Sequence, residues 1–591
     1  LSSFDLHVLT ELVESCELLD VPGGTRLVNA GERLDAVYGV LNGALRMVRR
    51  DRNGVEKTIH EYYRDDMLGF LGMFVEQPIP VDLVVVRDST LVKISRDRFI
   101  ALTDRHPELL RAVLRLMSDH VHDVLGTVVS PGEETTTRRE GNVGLIVLSH
   151  DDAIQRAVVS LVHSMIAEGA MKHVTAESID AAFGPGTADA TDDRRVTRWL
   201  NSVEHDAPLL YQCDFLRPMW AARCIRQSDR LVIVAAPDDY ASIERVATML
   251  AQATGGGASR KTDLVLVHPE VTNVPSQTQV WSRLSVVTRI HHVKTGQRRD
   301  LERVVRHVTD QPIGVALSGG GARALAHVGV LAAMMEADIP IDYVCGTSMG
   351  AIVAAGMAMA WSIERMRDAV SEIFASPLAL YDFTLPLSSL FAGKKLDRVL
   401  HTLFGETDIE DLWLPFFCVS TDLSRATLVV HDRGPLWKSV RASSSIPGIF
   451  PPLTMDGRAL VDGGLMDNLP LDILAERCGG SLIAVDAFPY GERSAAEPTG
   501  IARRLFRRAQ AHLKSDMTNP PLFDILVRST FVGSKYRQDA TTARLKHVQY
   551  LGLPLTEFGV LRFRAHRDLF DAGYNYATRC FRESPWLRAA E

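Results

Sequence analysis

Ile313-Gly314-Val315-Ala316-Leu317-Ser318-Gly319-Gly320-Gly321-Ala322-Arg323 decides how this chain is read. Its first five residues form an apolar run with the length of a buried strand, and residues 324–335 follow as a helix. Three glycines at that junction free the backbone for unusual dihedrals and present N–H groups at a helix N-terminus, where an anion can be held. Gly319, Gly321 and Ala324 also satisfy the G-x-G-x-x-A form of a dinucleotide fingerprint. That reading requires an acid at the end of the next strand. The next strand-like run, residues 341–345, ends in Gly346-Thr347, and the nearest acid, Asp342, lies at its wrong end. The dinucleotide reading fails there.

Downstream, Gly346-Thr347-Ser348-Met349-Gly350 matches G-x-S-x-G, with an apolar strand before it and a helix over residues 351–359 after it. Gly346 and Gly350 flank a turn too tight for side chains, and the residue held between them presents its hydroxyl clear of the sheet. A serine nucleophile needs a base. The histidines of this region (His327, His401, His431, His512, His547, His566) include none that the pattern isolates as a triad member. Asp462 is the stronger candidate. It closes a short apolar stretch and is followed by Gly463-Gly464, so another loop can approach it closely. A solvated carboxylate is a weak base, so its pocket is expected to exclude water and raise its basicity. Residues 465–470 read as a turn before a helix at 471–476.

These three motifs, in this order, resemble the patatin-like phospholipase family. Ala442, Ser443 and Ser445 with Pro447 and Pro451, and Asn468-Leu469-Pro470, add to the likeness. With the regions described below, the whole chain is similar to bacterial relatives of neuropathy target esterase. The tail Phe570-Asp571-Ala572-Gly573-Tyr574 belongs to the same likeness. The resemblance implies a Ser348–Asp462 dyad, oxyanion N–H groups from Gly319, Gly320 and Gly321, support from Gly346, Gly350, Gly463 and Gly464, and no metal or other cofactor. It implies a lysophospholipase-like serine esterase that cleaves lysophospholipids or related acyl esters through an acyl-enzyme. A lipase or acyltransferase acting on another ester, and a non-catalytic lipid- or protein-binding scaffold, are the competing readings. Two departures stand out: Ala324 replaces the glycine usual after the motif arginine, and the nucleotide pocket described next has lost its charges. Arg323 has two readings, an orienting role at the loop or a phosphate contact on one side, and a structural clamp paired with an acid on the other.

Toward the N-terminus, short β-like pieces (residues 25–28, 36–41, 44–49, 56–62 and 82–94) are separated by Gly31-Glu32, Asn42-Gly43 and Asn53-Gly54 at hairpin-like intervals. Helices are expected before them at residues 6–15 and after them at 107–125. The glycine turns, Asp88-Ser89, Leu91 and Phe99 resemble the β-roll of cyclic-nucleotide-binding domains. Where that family carries a ribose-binding glutamate this chain has Phe70, and where it carries a phosphate-binding arginine it has Ile79-Pro80-Val81. Without a charge partner a cyclic phosphate loses its charge-assisted bonds, so a docking, regulatory or dimerisation module is expected, not a nucleotide receptor. A polar linker at 131–141 precedes βα alternation over 142–307, which predicts a largely parallel Rossmann-like sheet without a P-loop. Its ligand position, if used, lies near Ser149-His150 and Ala236-Pro237. Gly255-Gly256-Gly257 follows a helix and reads as a helix end or loose loop.

The predicted fold class is therefore multidomain. It comprises a β-roll at 1–130, the linker, an α/β domain at 142–307, and an α/β hydrolase domain with a mainly parallel sheet and a C-terminal extension at 308–591. A chain of 591 residues is too long for one core. With 46% hydrophobic and 23% charged residues its composition is that of a globular protein, and a net charge of -8 argues against a dedicated nucleic-acid binder. Seven scattered cysteines, odd in number and never paired as C-x-x-C, fit buried free thiols in a reducing compartment. The expected location is cytoplasmic, with a peripheral contact on the inner face of the membrane. Residues 501–509 carry four arginines opposite Ile501, Ala502, Leu505, Phe506 and Ala509, a pattern that fits either an anionic membrane surface or an ordinary solvated helix. Residues 373–390, rich in large apolar side chains broken by Pro377 and Pro386, fit either a flap over an acyl chain or a loop packed on the core. The sequence begins at Leu1 without a methionine or a basic-then-apolar stretch, and the natural start is expected upstream.

Overall fold

The computed structural model describes residues 6–50, 56–70, 78–107, 109–111, 113–114, 141–149, 151–190, 194–254, 261–374, 382, 384, 389–488, 522–545, 547–560 and 562–583. They form two compact units, one of residues 1–270 and 279–305, the other of residues 271–278 and 306–591.

The first unit opens with six antiparallel strands: β1 (Glu17–Val21), β2 (Arg26–Val28), β3 (Ala36–Arg50), β4 (Glu56–Tyr62), β5 (Met67–Leu68) and β6 (Asp82–Ser95). β3 lies between β6 and β4. Asn42-Gly43, expected to break a hairpin, instead lies inside the single 15-residue β3. The pairing of β3 with β6 shifts register on both sides of Asn42. Gly43 has φ +96° there, so the glycine supplies a bulge within one strand and not a turn between two. Helices Leu6–Glu14 and Arg96–Arg105 flank the roll. Most of the helix expected at 107–125, the linker before Gly141, and Gly255-Gly256-Gly257 fall outside the described residues.

Six parallel strands follow: β7 (Val143–Val147), β8 (Lys172–Val174), β9 (Leu209–Gln212), β10 (Arg230–Ala235), β11 (Lys261–His268) and β12 (Arg289–Lys294). Their order is β12-β11-β10-β7-β9-β8. The ligand position expected at the end of β10 holds the protein's own indole: buried Trp281 donates Nε1–H to the Pro237 carbonyl at 3.0 Å. Within this unit, Arg87 of the roll pairs with Glu204 at 2.6 Å and Asp229 at 3.3 Å, and Arg226 pairs with Asp88 at 3.1 Å. These bonds tie the roll to the parallel sheet.

The second unit has one eight-stranded sheet of β13 (Ile313–Leu317), β14 (Tyr343–Gly346), β15 (Phe416–Asp422), β16 (Thr427–His431), β17 (Leu453–Met455), β18 (Arg458–Asp462), β19 (Ser481–Asp486) and β20 (Val548–Gly552). The order is β17-β18-β15-β14-β13-β19-β20, with β16 paired to β15. Strands β15, β14, β13, β19 and β20 are parallel, and β16, β17 and β18 run antiparallel to their neighbours. Because strand side chains alternate, Val315 and Leu317 enter one core and Ala316 the other. The larger core packs helices Ala326–Glu336, Met349–Ala358, Lys394–Phe404 and His566–Glu583, and the smaller one packs helix Leu471–Cys478. No helix among the described residues is long and apolar enough to cross a membrane.

Candidate active site

Register brings the site together. β14 and β15 are parallel with Gly346 opposite Cys418, and β15 and β18 are antiparallel with Ser420 opposite Asp462. Two residues beyond Gly346 the chain reaches Ser348, which is thus at the level of Ser420 and of Asp462. Only β15 separates the two segments, a backbone gap of about 10 Å across two strand spacings. A turn projecting from one side and a carboxylate from the other can span it.

Ser348 sits between β14 and helix Met349–Ala358 with φ 55° and ψ −126°, a conformation that costs a non-glycine residue free energy. The flanking glycines explain how the turn closes. A Cβ on Gly346 would come within 2.5 Å of the Gly350 carbonyl, and one on Gly350 would strike the Leu317 and Ser318 carbonyl oxygens. Ser348 N–H donates to Ser443 Oγ at 2.9 Å, and the neighbouring Thr347 Oγ1 donates to the Asp467 carbonyl at 3.1 Å. The turn is held from both sides.

Asp462 ends β18. Its N–H donates to the Ser445 carbonyl at 2.9 Å, so the Ser443–Ser445 segment touches both the Ser348 and the Asp462 backbones. The Asp462 carboxyl is fully buried, and Oδ1 accepts the Gly464 N–H at 2.8 Å. Burial pushes its pKa up to about 7, a rise that the facing Ser348 hydroxyl and the Gly464 N–H partly oppose. The hydroxyl and carboxylate are close enough to interact, yet no aligned hydrogen bond joins them, and Oδ2 has no partner among the described residues. Catalytic hydrogen bonds are often loose before substrate binds. Gly463 lets the turn pass the Val419 carbonyl, and Gly464 lies directly under the Phe531 ring.

Asp467, five residues on, is also buried, and its pKa rises to about 6. Burial dominates there too, but Arg537 stands 3.4 Å away and lowers it. No cation among the described residues lowers Asp462 in this way, and it keeps the more basic carboxylate of the two.

The glycine loop adjoins this pair. Its N–H groups are not equivalent: Gly319 N–H donates to the Asn468 carbonyl at 3.3 Å, whereas those of Gly320 and Gly321 have no partner among the described residues. Of the three expected oxyanion donors, Gly319 is therefore already engaged. The helix expected from residue 324 starts later: Gly321–Leu325 is a tight 3-10 turn, and the α-helix spans Ala326–Glu336. Gly321 supports that turn with φ +56°. Arg323 is buried, donating Nε–H to the Phe558 carbonyl at 2.6 Å and lying 5.6 Å above the Phe488 ring. The carbonyl and the ring hold the guanidinium in place. Ala324 is fully buried, so its methyl packs inward.

The histidines lie elsewhere in the network. His327 bonds the Ser318 carbonyl at 2.9 Å and His431 bonds Ser420 Oγ at 2.7 Å, and burial holds both near pKa 4. In the roll, Phe70 packs in the core 6.1 Å from Phe99, and Ile79 exchanges backbone hydrogen bonds with Gly31 and Glu32. Neither presents a charge. The sequence reading gave no role to Asn468, Thr347 or Phe531. Asn468 and Thr347 adjoin recognised motifs, but Phe531 lies on a distant helix, Leu522–Arg544, and no local signal marks it. Residues 501–509 lie outside the described residues, as do most of residues 375–388.

Comparison with known proteins matches three stretches of the chain to domain families. Residues 315–475 match the model of the patatin-like phospholipase domain, 143–314 the Neuropathy Target Esterase family P-loop like domain, and 18–106 the cyclic nucleotide-binding domain. The chain is 29% identical to "Neuropathy target esterase sws" of Drosophila melanogaster, over 97% of this chain and 43% of that protein. It is 32% identical to the protein of the same name from Drosophila grimshawi, over 78% of this chain and 34% of that one. It is 29% identical to "Patatin-like phospholipase domain-containing protein 6" of Pongo abelii, over 95% of this chain and 44% of that protein. The chain spans less than half the length of these curated relatives.

Proposed function

We propose that this three-domain relative of the neuropathy target esterases is a serine esterase that hydrolyses the acyl ester of lysophospholipids or closely related lipids. The observation that carries the proposal is the buried Asp462 carboxyl, raised to about pKa 7 and facing the strained Ser348 turn with one oxygen unpartnered among the described residues. A carboxylate poised near neutrality can take a proton and return it.

In the first half-reaction Ser348 Oγ attacks the ester carbonyl carbon as its proton passes to Asp462 Oδ2. The negative charge that collects on the carbonyl oxygen is met by the N–H groups of Gly320 and Gly321 and by the N-terminus of helix Met349–Ala358. When the tetrahedral centre collapses, the C–O bond to the alcohol breaks, the alcohol leaves with the proton from Asp462, and the acyl group stays on Ser348. In the second half a water gives Asp462 a proton and its oxygen attacks the acyl carbon. Collapse breaks the bond to Ser348 Oγ, which regains the proton, and the fatty acid departs.

The names of the relatives give an esterase and a phospholipase domain, and the lysophospholipid assignment rests on the family resemblance. We place the protein in the cytoplasm with a peripheral membrane contact through the arginines of 501–509. Co-sedimentation with anionic vesicles, lost when the four arginines become glutamine, is the expected result; unchanged binding rules that segment out. The central test is labelling by a fluorophosphonate probe together with a panel of lysophospholipids. The native chain is expected to label at Ser348 and release fatty acid, and Ser348→Ala and Asp462→Asn to release none. Labelling elsewhere, or full hydrolysis by either variant, overturns the dyad.

A further inference from the structure

Gly319 and Asn468 hold each other twice. The Gly319 N–H donates to the Asn468 carbonyl at 3.3 Å, and Asn468 Nδ2–H donates to the Gly319 carbonyl at 3.3 Å. Asn468 is almost wholly buried, at 1% exposure. Its Oδ1 has no hydrogen-bond partner among the described residues. The missing side chain of Gly319 makes room for this contact: a Cβ there would stand 2.6 Å from Asn468 Oδ1 and 3.1 Å from Ser348 Cβ. Asn468 thus reaches the space beside the nucleophile.

The peptide unit is planar and trans, so its C=O and the following N–H point in opposite directions. Fixing the Gly319 carbonyl on Asn468 therefore fixes the Gly320 N–H on the far side, where it has no partner among the described residues. Glycine gives this loop no stiffness of its own. Asn468 lies on the same turn as Asp462, and the Asp467 carbonyl of that turn holds Thr347 beside Ser348. One seven-residue turn therefore touches the base, the nucleophile turn and the loop that would receive the oxyanion.

We propose that Asn468 is the positioning residue of the oxyanion loop. Its side chain sets the Gly319–Gly320 peptide so that the Gly320 N–H is aimed before substrate arrives. It acts through that peptide and touches no reacting atom. The inference rests on the hydrolytic reading above, and deepens it.

The test uses the full chain and two variants. Asn468→Ala removes the side-chain bond and leaves the backbone bond. Asn468→Asp keeps the shape but replaces the donor with an oxygen. Both are expected to lower kcat about ten- to a hundredfold, the range for a weakened oxyanion donor, with KM for a lysophospholipid within about threefold. Fluorophosphonate labelling should slow in step, because that reaction also develops charge on an oxygen facing the loop. Affinity for an ether-linked, uncleavable lysolipid should be unchanged. A kcat within twofold of native in Asn468→Ala overturns the proposal, as does a loss of kcat matched by loss of ether-lipid binding. If Asn468→Asp does not fold, Asn468→Ala decides. If the native chain itself neither labels nor hydrolyses, the esterase reading has failed, an outcome distinct from native labelling with an unaffected Asn468→Ala.

Discussion

The turn at Asp462-Gly463-Gly464 and the junction at Gly69-Phe70 are both tight, glycine-containing and buried, yet they bury opposite things. At the first, a carboxyl is wholly removed from water, and one of its oxygens has no partner among the described residues. At the second, a phenyl ring fills a core beside Val37, Ile94 and Phe99. Burying the ring stabilises the fold, whereas burying an ionised carboxyl with no cation beside it opposes it. The contrast separates the two units: the hydrolase unit buries a polar group, as the proposed role of Asp462 requires, and the roll buries an apolar side chain at Phe70.

The largest expected effect falls at the costly site. Asp462→Asn should lower ester hydrolysis on the order of a thousandfold or more while raising thermal stability at pH 8. The sign follows from the raised pKa. Below about pH 4 the carboxyl is protonated folded and unfolded alike. Between about 4 and 7 the unfolded chain ionises first, so native stability falls as pH rises, and above 7 the deficit is constant, on the order of 4 kcal/mol. Asparagine cannot ionise and escapes that deficit. Melting curves of both proteins at pH 5 and pH 8 would show the gap widen with pH, and a less stable variant at pH 8 breaks the comparison.

Next in size is the pH profile. Because the ionised carboxylate is the competent base, kcat/KM on a neutral ester should rise about tenfold per unit below pH 7 and level off above it. A profile flat from pH 5 to 8 would remove Asp462 from the role of base.

At the favourable site, Phe70→Ala should destabilise the roll by about 3–5 kcal/mol, the usual cost of emptying a buried aromatic position, read as an earlier unfolding transition in urea. A stable Phe70→Ala would mean that the ring is not a core element. The smallest expected effect is none. Calorimetric titration with cyclic AMP should give no saturable heat up to about millimolar nucleotide; micromolar binding would show that the roll kept a receptor function by other contacts.

Much of the catalytic unit was legible because its signals are local. Strand, glycine turn, nucleophile and helix lie within a few residues of one another, and so do β18, Asp462 and its two glycines. The βα alternation of the middle domain was legible for the same reason. The β-roll was read less well, since a glycine after an asparagine marks a hairpin turn and a bulge alike. Only the pairing of β3 with β6 distinguishes them. For Arg323 the sequence left two readings open, and the Phe558 carbonyl that its side chain meets lies more than two hundred residues on, where no spacing rule reaches.

By itself, then, the sequence determined which groups were available: a serine in a turn that strains it, a carboxylate among glycines, and a loop of glycine amides. These follow from neighbouring residues, whose steric demands act over a few bonds. Tertiary structure decided that Asp462 lies level with Ser348 across β15, that its burial lifts the pKa, and that Asn468 engages Gly319 and leaves Gly320 free. Those outcomes depend on strand register and on the exclusion of water by side chains distant in the chain, and both come into being only when the fold closes.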